Sequence, residues 1–259
     1  MAAGELVVIV APPSDAFAAA VVHCLRGKQA RVMARVIVCE PKNLVELPIV
    51  LDSRRFEVDG AAPCAIVWRV TPPMLLSVGI SAEDQVFADA EVVAAWLWAL
   101  NLPAIYSVNR YPASVWYGGL HWSAWHTWLR ARDVYVAALH LGDASANRKQ
   151  RWIPFHSHTA SPVPDATAAA ALGIAASAAE PALSVLAVAG DVLHPTPSPT
   201  MQAAAAALNA SGVVLARLTL DCDDRVLWVD TTPGFDTDEQ LSRVAHRVAD
   251  EIHAHLLAR

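Results

Sequence analysis

Residues 5–11 (ELVVIVA) form an unbroken apolar run closed by Pro12-Pro13. A run of that length with no polar alternation needs cover on both faces, which is the pattern of a central strand in a parallel sheet. Ser14 or Asp15 stands where a helix cap belongs, Phe17, Val21 and Leu25 recur at helical spacing, and Gly27 stops the pattern. A second apolar run over 31–39 completes a β-α-β unit, so the chain must open as an α/β sheet with helices packed on it.

The next stretch extends that sheet. Residues 40–62 read as irregular structure with at most one edge strand, near the apolar piece at 47–51. Residues 65–70 are another buried strand, delivering Arg69 just before Thr71-Pro72-Pro73. A helix is expected over 83–100, with Val86, Ala90, Val93, Leu97 and Leu100 on one stripe; Pro103 ends it, and 104–108 re-enter the sheet ahead of Asn109-Arg110. The second half reads as a Trp-rich helix over 121–132, strands over 134–141 and 151–158, and an Ala/Pro/Ser-rich segment from 159 to 181. A strand over 183–189 then runs into Gly190-Asp191, and an Ala-rich helix over 200–209 stops near Gly212. A hairpin of strands 213–220 and 226–230 ends in Thr231-Thr232-Pro233-Gly234. The closing helix, 237–257, carries Leu241, Val244, Ala245, Val248, Ile252 and Leu256 on one face, with Thr237 and Gln240 as a capping box.

Composition excludes several classes of function. The net charge is −6 with 17% charged residues, so no basic surface invites nucleic acid. Although 55% of residues are hydrophobic, no run approaches the roughly 18–20 apolar residues of a membrane span. The N-terminal MAAGELVVIVAPP has no basic region of a secretory signal, and the four cysteines (Cys24, Cys39, Cys64, Cys222) form no C-x-x-C pair. We therefore expect a cytoplasmic protein with reduced thiols. Lysine occurs only at Lys28, Lys42 and Lys149.

The hairpin segment LNASGVVLARLTLDCDDRVLWVDTTPGF (208–235) resembles the last hairpin of ATP-grasp ligases, in which a strand reading Leu-Glu-Val-Asn carries two magnesium ligands and runs into a Pro-Gly turn. Other landmarks fall in the family's order. A strand ending in Trp68-Arg69, a helix carrying Glu91 and a strand ending in Asn109-Arg110 resemble the pre-ATP-grasp domain of the RimK-like, peptide-modifying type, and Gly190-Asp191 matches its next turn. The resemblance implies an α/β protein: a pre-ATP-grasp-like open sheet over 1–112, then a reduced ATP-grasp-like α+β domain over 113–259 that lacks a full nucleotide-binding lobe.

The resemblance also says where metal ligands belong. The first-strand acidic position maps to Leu218 or Thr219, the glutamate to Trp228 and the asparagine to Asp230. The helix lysine, the lysine-bearing strand and the Gly-rich flap have no legible counterpart. The leading expectation is a catalytically degenerate homologue that binds or scaffolds for a peptide- or cofactor-modifying enzyme, with no cofactor of its own. One alternative is a working carboxylate–amine ligase using Mg-ATP, its noncanonical site built from Asp230, Arg69, Arg110 and Lys149.

Arg69, Asn109 and Arg110 come from strand ends, where open α/β sheets place ligands, and suit a peptide or a small acidic ligand. Structural pairing of the arginines with Glu91 or Asp89 is the competing role, and Lys149 competes as a solvated loop residue. Asp230, the one surviving candidate ligand, competes as a turn-forming aspartate. His156 and His158, two residues apart on a strand, raise a histidine-based metal site as a third function. Trp116, Trp122, Trp125 and Trp128 motivate an interface in a homodimer or in a complex with another enzyme.

Overall fold

The computed structural model describes residues 5–28, 34–40, 48–51, 55–69, 82–110, 121–143, 152–154, 172–176 and 181–258. The elements in its first half are β1 (Glu5–Val10), α1 (Ala16–Lys28), β2 (Ala34–Cys39), β3 (Ile49–Leu51), β4 (Phe56–Val58), β5 (Pro63–Trp68), α2 (Ala82–Leu100) and β6 (Tyr106–Val108). They are followed by α3 (His121–Arg130), β7 (Leu139–Asp143), β8 (Trp152–Pro154), β9 (Leu172–Ala176), β10 (Leu183–Val188) and β11 (Asp191–Val192). The last four are α4 (Pro199–Ala210), β12 (Leu215–Leu220), β13 (Val226–Asp230) and α5 (Asp238–Leu257).

Two compact units result, one of residues 1–111 with 234–259 and one of 112–233. In the first, a parallel sheet runs in the order β2-β1-β5-β6, with Leu6 to Val10 of β1 and all of β5 buried. The apolar runs read from the sequence are these central strands. Residues 49–58 differ from the expected irregular stretch, because β3 and β4 pair antiparallel as a hairpin.

The last helix also departs from the expectation that placed 234–259 with the second half. It packs against α1, burying Val244, Ala245, Val248, Ala249, Ile252 and Leu256. A stripe of that width needs an apolar partner, and α1 offers Phe17, Ala18, Val21 and Leu25. The capping box forms nearly as expected: Thr237 Oγ1 accepts from the Gln240 N–H at 3.1 Å, and Gln240 Oε1 accepts from the Asp236 N–H at 3.0 Å.

The second unit is built on an antiparallel sheet in the order β11-β10-β12-β13, with α3 against β13. Ser198 caps α4 by accepting from the Met201 N–H, and donates its hydroxyl to Asp224 at 2.8 Å, tying the helix start to the hairpin turn. Gly190 needs its freedom twice over: φ is +86°, and a Cβ there would sit 3.3 Å from the Asn209 side chain. A second antiparallel sheet, β7-β9-β8, has its central strand inside the Ala/Pro/Ser-rich segment. Alanine gives no strand periodicity; pairing from both sides supplies what propensity does not. Among the described residues no helix is long and apolar enough to cross a membrane.

Candidate functional site

In the parallel sheet the chain leaves β1 toward β2 on one side and β5 toward β6 on the other. The crevice beyond the ends of β1 and β5 is thus the point where the winding reverses, which is where open α/β sheets take ligands. The Arg69 N–H donates to the Val10 carbonyl at 2.8 Å and holds the two strand ends together. Asp15 caps α1 by accepting from the Ala18 N–H at 2.8 Å through Oδ1, while its Oδ2 accepts from Arg69 Nε at 3.0 Å. Arg69 lies over the Phe17 ring, 5.1 Å from its centre, and Phe17 stacks on Phe235 at 5.3 Å. Around them lies a cavity of about 280 Å³, lined also by Asp236, Thr237, Asp238 and Leu241.

Of the sequence candidates, Arg69 is at this cavity, where it forms an ion pair with Asp15. Sequence reasoning took Asp15 only as a cap. It also missed the Phe235–Leu241 side, whose one signal was a helix N-terminus following Pro-Gly. Arg110 serves a different purpose. Its Nε donates to the Leu100 carbonyl at 3.0 Å, and its Nη2 to Leu102 and Ile105 at 3.2 and 3.0 Å. Leu100 ends α2, where carbonyls lack helical partners and the dipole favours a cation, and Leu102 and Ile105 lie in the connection that follows, so Arg110 ties down the end of α2 and the chain just beyond it. Asn109, beside it, is buried at 2% exposure.

The hairpin in the second unit pairs Arg217 with Asp230, Leu218 with Val229 and Thr219 with Trp228. Leu218 is fully buried, and Trp228, at 9% exposure, packs as a core residue where the resemblance wants a glutamate. Asp230 Oδ1 accepts from the Thr232 N–H at 2.9 Å and from its hydroxyl at 3.4 Å, an Asx turn. A magnesium ion bridging phosphates asks for several hard oxygen ligands. These positions supply one carboxylate, already turned onto its own backbone, and among the described residues no group of three or more His, Cys, Asp or Glu is placed to hold a metal. The hairpin therefore does not fit Mg-ATP.

Lys149, Trp116, His156 and His158 lie outside the described residues, as does the Trp122 side chain. Trp125 is buried at 1% exposure, and an interface role for it is corrected to one in the core. Trp128 is half-buried, edge-on to Trp125 at 5.6 Å, with Arg132 stacked on it at 3.5 Å. Next to Trp125, His126 is buried and its pKa falls from 6.5 to about 4, first through desolvation and then through Arg130. It stays neutral in the fold while the unfolded chain binds a proton near pH 6.5, so stability is full above that pH and drains as pH falls toward 4. The expected loss is on the order of 2 kcal/mol, read from chemical denaturation at a series of pH values. His126→Leu should flatten that slope; an unchanged slope would place the proton uptake elsewhere.

No protein-family model and no curated protein matches the sequence. Solved structures do. The ATP-grasp ligase PsnB, in a complex with minimal precursor, Mg and ADP, superposes with a TM-score of 0.69 at 16% identity, over 96% of this chain and 97% of that one. The macrocyclase MdnC of Microcystis aeruginosa MRC, bound to precursor peptide MdnA, gives 0.67 at 10% identity over 96% and 99%. A RiPP-associated ATP-grasp ligase of Chryseobacterium gregarium, in complex with ADP and a leader and core peptide, gives 0.64 at 12% over 96% and 97%. The chain has the ATP-grasp ligase fold, as its landmarks implied.

Proposed function

We propose that this chain is a degenerate, reduced ATP-grasp protein that binds a peptide without activating it, as a binding or scaffolding subunit beside an active peptide- or cofactor-modifying enzyme. The observation that carries this is the hairpin, where Trp228 and Leu218 are core residues and Asp230 is spent on an Asx turn. Peptide binding is supported by the cavity at the switch point, with Arg69 set against Asp15, and by the precursor peptides in the PsnB and MdnC structures. The unit of residues 1–111 with 234–259 supplies that cavity, and 112–233 is the reduced lobe of this reading.

Calorimetric titration with Mg-ATP is expected to show no binding in the micromolar range, and Asp230→Ala to leave that result unchanged. The substitution should lower stability by about 1 kcal/mol through loss of the turn. Micromolar Mg-ATP binding, or ADP release on adding a peptide, would overturn the proposal in favour of an active carboxylate–amine ligase.

A further inference from the structure

Helix α3 ends in a turn that sends the chain back along the sheet. Its end closes as a Schellman motif: the Asp133 N–H donates to the Arg130 carbonyl and the Val134 N–H to the Leu129 carbonyl, each at 3.2 Å, with Asp133 at φ +59°. Residues 134–137 then run beside β13, the edge strand of its sheet, in a short parallel bridge of Val136 with Val226. Two backbone bonds hold them there, from the Val226 N–H to the Tyr135 carbonyl and from the Ala137 N–H to the Val226 carbonyl, both 3.0 Å. A strap held by so few bonds opens more readily than the strands behind it.

The third tie is His126. Its side chain is buried on α3, and the ring hydrogen-bonds the Ala137 backbone. That bond favours the charged ring, so it runs from a ring N–H to the Ala137 carbonyl. The other nitrogen, Nε2, is buried with no hydrogen-bond partner among the described residues, so a proton added there meets no acceptor. Arg130, one turn on, is the charged side chain that acts on the ring, and it repels a second positive charge. Of the elements under α3, α4 carries no ionisable residue, and β13 carries only Asp230, whose carboxylate accepts from Thr232. On the strap side Arg132 stacks on Trp128, and Asp133 and Tyr135 are exposed.

We propose that residues 134–137 form an acid-released strap: neutral His126 holds them on the edge of β13, and protonating it lets them lift while the sheet behind stays folded. Lifting uncovers the Val226 end of that edge. With the strap down the ring takes its proton only near pH 4, and with the strap lifted near its ordinary 6.5. The closed form is therefore fully favoured above 6.5 and loses ground as pH falls toward 4, the lifted fraction rising about fiftyfold from pH 7 to pH 4.5.

Amide hydrogen exchange of the full chain reads the lifting, since the Ala137 and Val226 N–H groups are the ones bonded across the strap. Corrected for the intrinsic pH dependence of exchange, their protection should fall about fiftyfold from pH 7 to pH 4.5. At pH 4.5 they should also exchange at least about tenfold faster than the amides of β12, the strand behind β13. Equal protection in the strap and in β12 would mean that the strap opens only when the whole sheet unfolds, and overturns the proposal. Protection that does not change with pH overturns it as well. His126→Gln keeps a donor for the Ala137 carbonyl but takes up no proton, so the fall at Ala137 and Val226 should shrink to less than about threefold. A variant that keeps the full fall assigns the proton to another group and overturns the role of His126. Arg130→Gln changes only an exposed residue. With the repulsion gone it should give a smaller fall than the wild type, and an equal or larger one overturns the assignment.

Discussion

Trp125→Ala is expected to destabilise the protein by about 3–5 kcal/mol, the range for removing a large aromatic from a packed core. Trp125 is 1% exposed, its ring meets Trp128 edge-on, and α3, which carries it, packs on β13. Its indole N–H has no hydrogen-bond partner among the described residues, so the loss is one of packing. Chemical denaturation at two protein concentrations gives the check. A core role predicts a large loss that does not depend on concentration. An interface role predicts instead that the wild-type midpoint rises with concentration and that the substitution removes the rise. Trp128→Ala should cost about 1 kcal/mol, because that ring is half-buried and its stacking with Arg132 is exposed.

Arg110→Ala is expected to cost about 2–4 kcal/mol, since the carbonyl that ends α2 and two in the connection after it lose a charged donor together. Arg110→Lys keeps the charge near the helix C-terminus but cannot span three acceptors with one ammonium, so it should recover only part of the loss. Denaturation measures the stability. Unchanged stability of Arg110→Ala would mean that the three carbonyls do not depend on it.

These two residues show where the sequence stops being informative. Trp122, Trp125 and Leu129 were legible as one side of a helix, but not what that side would meet. Arg110 was legible as a cation at a strand end, a position equally good for a ligand and for a helix terminus. Leu100, Leu102 and Ile105 bear on that choice, since the connection from α2 to β6 folds so that their carbonyls accept from the Arg110 side chain. Asp230 went the other way: its turn is formed with Thr232, two residues on, and both outcomes were already visible in the sequence.

What the sequence determined by itself is what contiguous residues encode. The apolar runs of β1 and β5 require cover on both faces, the stripe of α5 requires a partner, and Thr237 with Gln240 starts that helix. Trp228 and Leu218, at positions where metal ligands would stand, were likewise plain in the order of residues. The tertiary structure alone decided the partners. Asp15 and Arg69 are 54 residues apart, and Lys28 and Asp250, which join α1 to α5, are 222 apart. Periodicity records how one segment is solvated, whereas a hydrogen bond or an ion pair depends on which remote segment arrives within about 3 Å, and only the closed fold specifies that.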